Sequence, residues 1–347
     1  MVMNRLKAIG VLLMVSMQVW SWTSPVDIPE VGDAHIRIVG QNARNYLIDF
    51  TASNASCKTQ EAFDAKTDKM ANVFIALQAD IVAICEVEQN SGALQPLCDA
   101  MNRIAEADVY TYLTDDLGDA VQSETGYMSL KSGFIYRKDK VAPKGSTVSP
   151  YYSNNIYYAR MRIQAFREIA TNEVFVLSMN HFKAKDGSQD AGEGTRVNNT
   201  TRLLNKLNTI TTDPDILIMG DLNAYMGEQP IINLQNAAYE EQLVRFDSTA
   251  YSYKYYGEKG LLDHVLANST MAQQVTGAKV YHINTSGKTS YQYSDHDASV
   301  VGLRLGEAPM GVDKGEKAKG ERRKMIINGQ LMIEYNGIRY DIYGRRQ

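Results

Sequence analysis

Apolar residues are grouped into short runs that alternate with amphipathic segments. Residues 80–84 form a nearly continuous apolar run of strand length, which predicts a strand buried on both faces. The segment before it has its apolar side chains at helical spacing and predicts an amphipathic helix over residues 61–78: Met70, Val73, Phe74 and Leu77. This pairing indicates a helix that packs on a sheet.

The alternation continues downstream. Further strands are predicted at residues 34–39, 134–136, 174–177, 216–219, 261–267, 278–282 and 298–303. Four apolar residues mark a second helix: Leu203, Leu204, Leu207 and Ile210. Because strands and helices are mixed along the whole chain, the pattern predicts a layered α/β fold in which both sheet faces are covered.

The N-terminus has the pattern of an export signal over residues 1–24. Arg5 and Lys7 precede an apolar stretch from residue 9 to residue 20, and small polar residues follow. Ser16 and Gln18 interrupt this stretch, which is also too short for a good membrane span. We expect a secreted, periplasmic or cell-surface protein with no transmembrane segment in the mature chain; an uncleaved anchor is the alternative.

The C-terminus changes in composition after Leu305. Residues 306–323 are rich in Gly, Glu and Lys and predict a linker. In residues 324–347, Asn328-Gly329 and Asn336-Gly337 separate short apolar segments, which predicts a small β-hairpin or three-stranded meander.

Composition narrows the class of partner. The 347 residues are 44% hydrophobic and carry a formal net charge of -4, so nucleic acid would be held locally and not by the whole surface. Three cysteines cannot all pair. Cys85 lies in the apolar run. Whether Cys57 and Cys98 form a disulfide bond is left open by the sequence.

Polar residues cluster at the ends of the predicted strands. They are Asn42, Glu86, Glu88, Asn180, His181, Asp221, Asn223, Asp263, His264 and the run Ser294-Asp295-His296-Asp297. If these ends converge, they form a pocket with oxygen ligands for Mg²⁺-like ions and two imidazoles for proton transfer. Hydrolysis of an anionic phosphodiester needs such a set, because a cation offsets the charge that develops on the leaving oxygen.

The ordered motifs resemble the endonuclease/exonuclease/phosphatase superfamily, which has the DNase I-like fold. They are Cys85-Glu86-Val87-Glu88, Phe134-Ile135-Tyr136-Arg137, Asn180-His181-Phe182-Lys183, Gly220-Asp221-Leu222-Asn223, Leu262-Asp263-His264 and Ser294-Asp295-His296-Asp297. The resemblance covers residues 34–305 and implies a four-layered α/β sandwich. Residues 221–230, and Tyr251-Ser252-Tyr253 followed by residues 260–267, look most like the branch of secreted bacterial extracellular endonucleases.

The resemblance also implies roles. Glu86 is the principal metal ligand, with Asn42 and Asp295 at the same ion, which is Mg²⁺ or else Mn²⁺ or Ca²⁺. Asp221 positions or deprotonates water, and Asn223 stabilises the phosphoryl oxygens. Two imidazoles and one orienting carboxylate complete the catalytic set: His181, His296 and Asp263, the last of which orients His296.

One position departs from the family pattern. An acidic partner for the first histidine is expected on the strand before Tyr136-Arg137, but residues 129–133 contain no carboxylate. His181 is then oriented differently, or Lys131 contacts phosphate instead. Glu88, His264 and Asp297 adjoin motif residues and are expected to have structural roles. The alternative for Glu88 is that its side chain faces the same side of the strand as Glu86.

The substrate class follows from the same resemblance. We predict a metal-dependent phosphodiesterase that hydrolyses DNA or RNA; the alternatives are a phosphatase, a sphingomyelinase-like phospholipid phosphodiesterase, and an inactive binding module. Tyrosines interleaved with basic residues favour base stacking and phosphate binding, or equally the ordinary surface of a strand. The relevant ones are Tyr151, Tyr152, Tyr157, Tyr158, Tyr253, Tyr255 and Tyr256, near Arg160, Arg162, Lys183, Lys185 and Lys254.

Overall fold

The computed structural model describes residues 22–114, 117, 122–185 and 192–306, and the backbone of residues 322–327, 330–335 and 338–341. The predicted export signal lies outside the described residues except for positions 22–24. The interior of the predicted linker, 307–321, also lies outside them, as do both Asn-Gly pairs.

Strands and helices are mixed along the whole chain, as the pattern predicts. The strands are β1 (Ile36–Tyr46), β2 (Ile81–Glu88), β3 (Tyr110–Tyr112), β4 (Leu130–Arg137), β5 (Val141–Val148), β6 (Met161–Glu168), β7 (Val174–His181), β8 (Ile216–Asp221), β9 (Glu240–Glu241), β10 (Tyr253–Tyr255), β11 (Glu258–Gly260), β12 (Asp263–Ala267), β13 (Val275–Tyr281), β14 (Ala298–Leu303), β15 (Arg322–Ile327), β16 (Gln330–Tyr335) and β17 (Ile338–Asp341). The α-helices are α1 (Gln60–Ala76), α2 (Gln95–Ala105), α3 (Tyr157–Arg160), α4 (Glu193–Leu207), α5 (Gln229–Asn236) and α6 (Gln242–Phe246).

Two six-stranded mixed sheets form the centre of the fold. The first has the order β13-β14-β1-β2-β4-β3, and the second has the order β5-β6-β7-β8-β12-β9. The β1–β2 pair and the β7–β8 pair are parallel, and the other pairs in these sheets are antiparallel.

Alternating side chains of β2 enter different cores, as expected for a strand buried on both faces. Ile81 and Ala83 lie in the core between the sheets, with Met219 of the second sheet. Val82 and Ile84 lie in a separate core that the first sheet shares with α1 and α2. On the far side, α4 and α5 pack on the second sheet through residues such as Leu203 and Leu234. The fold is therefore the predicted four-layered α/β sandwich.

The boundaries of α1 agree with its sequence pattern. Thr59 precedes the helix, and its side-chain oxygen accepts a hydrogen bond from Ala62 N at 3.2 Å. Phe63, Met70 and Phe74 are buried along one face.

The C-terminal strands β15, β16 and β17 pair antiparallel in chain order as a small sheet, consistent with the predicted meander.

Cys57, Cys85 and Cys98 are unpaired, so the bridge that the sequence left open between Cys57 and Cys98 is absent from the structure. Among the described residues, we find no helix with the length and apolar character needed to cross a bilayer.

Candidate active site

Three predicted site residues occupy one row across the second sheet. His181 ends β7, Asp221 ends β8 and Asp263 begins β12. Asp221 is the register partner of both His181 and Asp263. Residues at equivalent positions on neighbouring strands point to the same face, so the register itself brings an imidazole and two carboxylates together.

The first sheet contributes Asn42 on β1 and Glu86 on β2. Asn42 is the register partner of Cys85, the residue before Glu86. Glu86 has a φ of 57°, in the left-handed region, where the register between β2 and β4 is irregular. Such a backbone conformation is strained for a residue with a side chain and is concentrated at functional sites. The bulge frees Glu86 from simple alternation between the two faces.

Asn42 joins the two acidic groups at the junction of the sheets. Its side-chain amide donates to Glu86 Oε1 at 2.9 Å and to Asp221 Oδ2 at 3.0 Å, while its oxygen accepts from Arg44 N at 2.9 Å. The other oxygen of Glu86 accepts from Asn45 N at 2.9 Å. Asn42 therefore presents positive hydrogen atoms to both carboxylates, and its predicted role as a metal ligand stays a prediction.

The carboxylates of Glu86 and Asp221 differ in protonation behaviour. Burial raises the pKa of Asp221 to about 7, with Asp263 and Glu86 adding to the effect and His296 opposing it. Burial alone would also raise the pKa of Glu86, but His181 and the Asn42 hydrogen bond outweigh it, so this pKa is lowered. Glu86 is thus the permanent anion of the pair, and Asp221 is able to take up a proton near neutral pH.

His296 is held between two aspartates. Its Nδ1 donates to Asp263 Oδ2 at 2.7 Å, and its Nε2 lies 3.8 Å from Asp221 Oδ2. Burial alone would lower the pKa of His296, but the charges of Asp263 and Asp221 raise this pKa well above its ordinary value. The imidazole is therefore held as a cation, with Nε2 facing the carboxylate of Asp221. The predicted pairing of Asp263 with His296 is present in the structure.

His181 differs from His296. Its Nε2 lies 3.4 Å from Glu86 Oε1, while in the described part of the chain its buried Nδ1 has no hydrogen-bond partner. Burial lowers the pKa of His181 to about 4, partly opposed by Glu86 and assisted by Arg160. Residues 129–133 contain no carboxylate, and among the described residues no acidic side chain is hydrogen-bonded to His181 Nδ1. His181 is consequently a neutral imidazole.

Two predicted site residues lie beside this cluster with other contacts. Asp295 is partly exposed, and its carboxylate lies 3.7 Å from Arg44 Nε. Asn223 has a φ of 48°; its backbone N donates to Asp221 Oδ1 at 2.9 Å and its side chain donates to Phe182 O at 3.3 Å. Asn223 therefore positions Asp221, and its predicted contact with phosphoryl oxygens stays a prediction, as does metal binding by Asp295.

The three neighbours expected to be scaffold each have structural partners. Glu88 accepts from Ile48 N and Asp49 N, each at 2.9 Å. The buried imidazole of His264 is hydrogen-bonded to Ala224 O at 2.8 Å. The carboxylate of Asp297 binds His282 Nδ1 at 2.9 Å and accepts from Asn284 N and Thr285 N.

Sequence reasoning missed the positioning roles of Ser252 and Tyr253. Ser252 Oγ accepts from Asp263 N at 3.0 Å, and Ser252 O accepts from Asp297 N at 2.8 Å, so one serine connects the start of β12 to the segment that carries His296 and Asp297. The ring of Tyr253 lies against the imidazole of His296, with 4.7 Å between centroids. The available signal was the motif Tyr251-Ser252-Tyr253 shortly before Leu262-Asp263-His264.

The donor set fits a divalent cation. Glu86, His181 and Asp221 each offer one ligand atom, and these atoms lie within 4.8 Å of one another. Two of the three are carboxylate oxygens, which Mg²⁺, Mn²⁺ and Ca²⁺ prefer. Because buried carboxylates in proximity are costly without a compensating positive charge, a cation between them would relieve the repulsion.

Comparisons with known proteins agree with this geometry. A family model described as "Endonuclease/Exonuclease/phosphatase family" matches residues 52–296. No curated protein matches the chain in sequence. The fold is similar to that of an endonuclease/exonuclease/phosphatase from Bacteroides vulgatus, with 14% identity, a TM-score of 0.56, and coverage of 78% of this chain and 98% of that one.

Two further solved structures differ in their named activities. A mannosyl-6-phosphatase from Bacteroides thetaiotaomicron has 14% identity and a TM-score of 0.56, with 78% of this chain and 100% of that one covered. The human Nocturnin catalytic domain has 16% identity and a TM-score of 0.54, with 79% and 96% covered. These identities establish a common fold and leave the substrate undetermined.

Proposed function

The chain belongs to the endonuclease/exonuclease/phosphatase family and is a metal-dependent phosphoester hydrolase; on this premise we propose that it is a phosphodiesterase that hydrolyses DNA or RNA. The observation that carries the hydrolytic assignment is the arrangement of His296. Asp263 holds its Nδ1 at 2.7 Å, and its Nε2 is directed at Asp221 beside Glu86.

The roles of the protein groups follow from their charges. Glu86 and Asp221 would hold the divalent cation, which supplies positive charge to the phosphoryl and leaving oxygens when bound. The ionised Asp221 accepts the proton of the attacking water, and the cationic His296 donates a hydrogen bond or a proton to the phosphoryl group. Asp263 fixes the orientation of the His296 ring and stabilises its positive charge.

The preference for a nucleic acid rests on the sequence branch and on the surroundings of the site. The motifs around Asp221 and Asp263 resemble those of secreted bacterial extracellular endonucleases. Tyr253 packs on His296, and the next tyrosines along the chain, Tyr255 and Tyr256, are exposed. Aromatic rings beside a phosphodiester site are suited to stacking on bases. A phosphatase or a phospholipid phosphodiesterase is the alternative within the same family.

A substrate panel tests the assignment. Purified protein lacking residues 1–24 is assayed on plasmid DNA, RNA, sphingomyelin, inositol phosphate and a hexose 6-phosphate, with Mg²⁺ or Mn²⁺ and with EDTA. We expect hydrolysis of nucleic acid that stops in EDTA and is lost in His296→Ala. Faster release of phosphate from a monoester would assign a phosphatase, and equal activity in chelator would reject the metal-dependent mechanism.

We also propose that residues 1–24 direct export, on the basis of the charged and apolar segments in the sequence. N-terminal sequencing of protein recovered outside the cytoplasm is expected to begin near residue 25. A full-length chain retained in the cytoplasm would reject this proposal.

A further inference from the structure

A two-stranded hairpin projects next to the catalytic histidine. Its strands are β10 and β11, which pair Tyr253 with Gly260 and Tyr255 with Glu258. The base of the hairpin is attached to the site, because Tyr253 forms an isolated β-bridge with His296 in addition to the ring contact. We refer to residues 253–260 as the Tyr253 hairpin.

The tip of the Tyr253 hairpin places a tyrosine in an unfavourable backbone position. Tyr256 and Gly257 form the two-residue turn, with φ values of 48° and 87°. Positive φ at both central residues is the signature of a type I′ turn, in which Asn, Asp and Gly are preferred at the first position. Nevertheless Tyr256 occupies that position and is 92% exposed. Neither backbone preference nor burial explains the aromatic side chain.

The hairpin has two chemically different faces. Tyr253 and Tyr255 are two residues apart and share the face that continues from His296, where Tyr255 is 59% exposed and lies edge-on to Tyr256 at 4.6 Å. Lys254 and Lys259 are register partners on the opposite face. That face is anchored: Lys254 donates to Thr285 O at 2.6 Å, and Lys259 lies 4.3 Å from the ring of Tyr251.

The anchoring continues into the body of the protein. Tyr251 stacks on His282 at 4.0 Å with 13° between the ring planes, and His282 is hydrogen-bonded to the buried Asp297 at 2.9 Å. The lysine face is therefore held in place, while Tyr255 and Tyr256 at the far end of the hairpin stay exposed. Such a support keeps the exposed rings at a fixed distance from His296.

From these contacts we infer that the tyrosine face of the hairpin (Tyr253, Tyr255 and Tyr256) is a stacking platform for the bases that flank the phosphodiester at His296. This inference rests on the proposed nuclease function. Along an antiparallel strand, Tyr253 and Tyr255 are separated by about 7 Å, which is about two base steps of 3.4 Å. Stacking of this kind tolerates any base, and the platform selects for bases that are unpaired.

The composition of the hairpin favours a nucleobase over a lipid surface. Its sequence, Tyr-Lys-Tyr-Tyr-Gly-Glu-Lys-Gly, contains no aliphatic residue, and Glu258, the register partner of Tyr255, places a carboxylate on the tyrosine face. Its lysines are held on the face opposite the tyrosines and so are not arranged with them as a membrane-binding surface. The open rings continue from the catalytic histidine, where the nucleotides on either side of a scissile phosphate would lie.

Binding measurements test the platform separately from catalysis. Every protein carries Asp221→Asn so that the probe stays intact, and the probe is fluorescent oligothymidylate or an abasic oligonucleotide of the same length, in Mg²⁺. Replacing Tyr255 and Tyr256 together with Ala is expected to weaken oligothymidylate binding at least about fivefold, with a much smaller effect on the abasic probe. Replacing both with Phe keeps the affinity, because the rings remain. Ile169→Ala, a change at an exposed residue between β6 and β7, serves as the surface control.

Each outcome decides the inference. An equal loss on both probes, or a loss in the Phe variant as large as in the Ala variant, overturns the platform. It is also overturned if the Ala variant loses sedimentation with phosphatidylcholine–phosphatidylserine vesicles while its oligonucleotide affinity is unchanged. Hydrolysis by the unmodified enzyme tests the proposed function independently. Base-dependent binding without cleavage supports the platform and rejects the nuclease function. Cleavage without base-dependent binding supports the nuclease function and rejects the platform.

Discussion

His296 and Asp263 are joined by a 2.7 Å hydrogen bond between Nδ1 and Oδ2, and both side chains are almost fully buried. The bond fixes the orientation of the ring, so that Nε2 faces Asp221. Burial alone would lower the pKa of His296, but the aspartates keep it high, so the histidine enters the reaction as a cation.

Asp263→Asn tests this relationship. The variant keeps the shape of the side chain but removes its charge, so we expect kcat to fall by roughly 10²–10⁴ and the pKa of His296 to fall with it. In a pH–rate profile, the loss of activity on the alkaline side should move to lower pH. Asp247→Asn, at a partly exposed aspartate away from the site, is the control. An unchanged alkaline limb would remove Asp263 as the partner that sets this pKa.

Glu86→Gln tests the cation site. We expect weaker binding of Mg²⁺ or Mn²⁺, because the permanent anion of the carboxylate pair is lost. A cation that binds the folded state raises the melting temperature by mass action, so added metal should stabilise the parent protein more than the variant. Without metal, the two melting temperatures should be similar. Identical metal titrations of parent and variant would contradict the assignment of Glu86.

The pH dependence of stability has a structural source in His264. Burial lowers its pKa to about 4, below the ordinary value of 6.5, so the unfolded chain binds more protons than the folded chain between these values. This contribution to stability is complete above pH 6.5 and is lost as pH falls toward 4, by about 3 kcal/mol at pH 4. Denaturant unfolding of His264→Gln should show a flatter dependence in this window. Above pH 7, the slopes of both proteins should agree, and a parallel pair of curves below pH 6.5 would refute the assignment.

Gly220 is required by the close approach of β7 and β8 directly before Asp221. Its φ is 124°, and an added Cβ would lie 2.1 Å from Asn180 O. We expect Gly220→Ala to reduce the free energy of unfolding by about 3 kcal/mol and to reduce kcat by displacing Asp221. Gly145→Ala is the matched control, because Gly145 also has a positive φ of 72° but has open space around it. Its expected cost is about 1 kcal/mol, with kcat preserved. Equal costs in calorimetric unfolding would show that backbone conformation, and not the contact with Asn180, sets the requirement.

Much of the layered fold was predictable because its central strands are strongly apolar. The strand predicted at residues 298–303 has the observed bounds of β14, and the helix predicted at 61–78 is close to α1. The strand predicted at 34–39 was too short, since β1 extends through Asn42 to Tyr46. Gln41 and Asn42 in this segment are buried at the site and not in a hydrophobic core. A prediction from hydropathy alone therefore ends the strand too early.

The pattern also missed β5 and β6, which have eight residues each, and four short strands. β3, β9, β10 and β11 have two or three residues each, and their pairing depends on tertiary neighbours. The motifs did predict the convergence of Glu86, Asp221, His181 and His296. The bulge at Glu86 and the donation from Asn42 to both carboxylates were not predictable, because both depend on how the two sheets meet.

Asn42 and Glu86 belong to one sheet, whereas His181, Asp221 and Asp263 belong to the other. Neither sheet alone carries the complete set of site residues. Enzymatic activity therefore requires that the two sheets pack on each other, and the formation of their strands alone is not sufficient. A compact intermediate with loosened interior packing would retain its far-ultraviolet circular-dichroism signal but would have no enzymatic activity. Activity should therefore return after dilution from denaturant no earlier than the packing of the two sheets on each other.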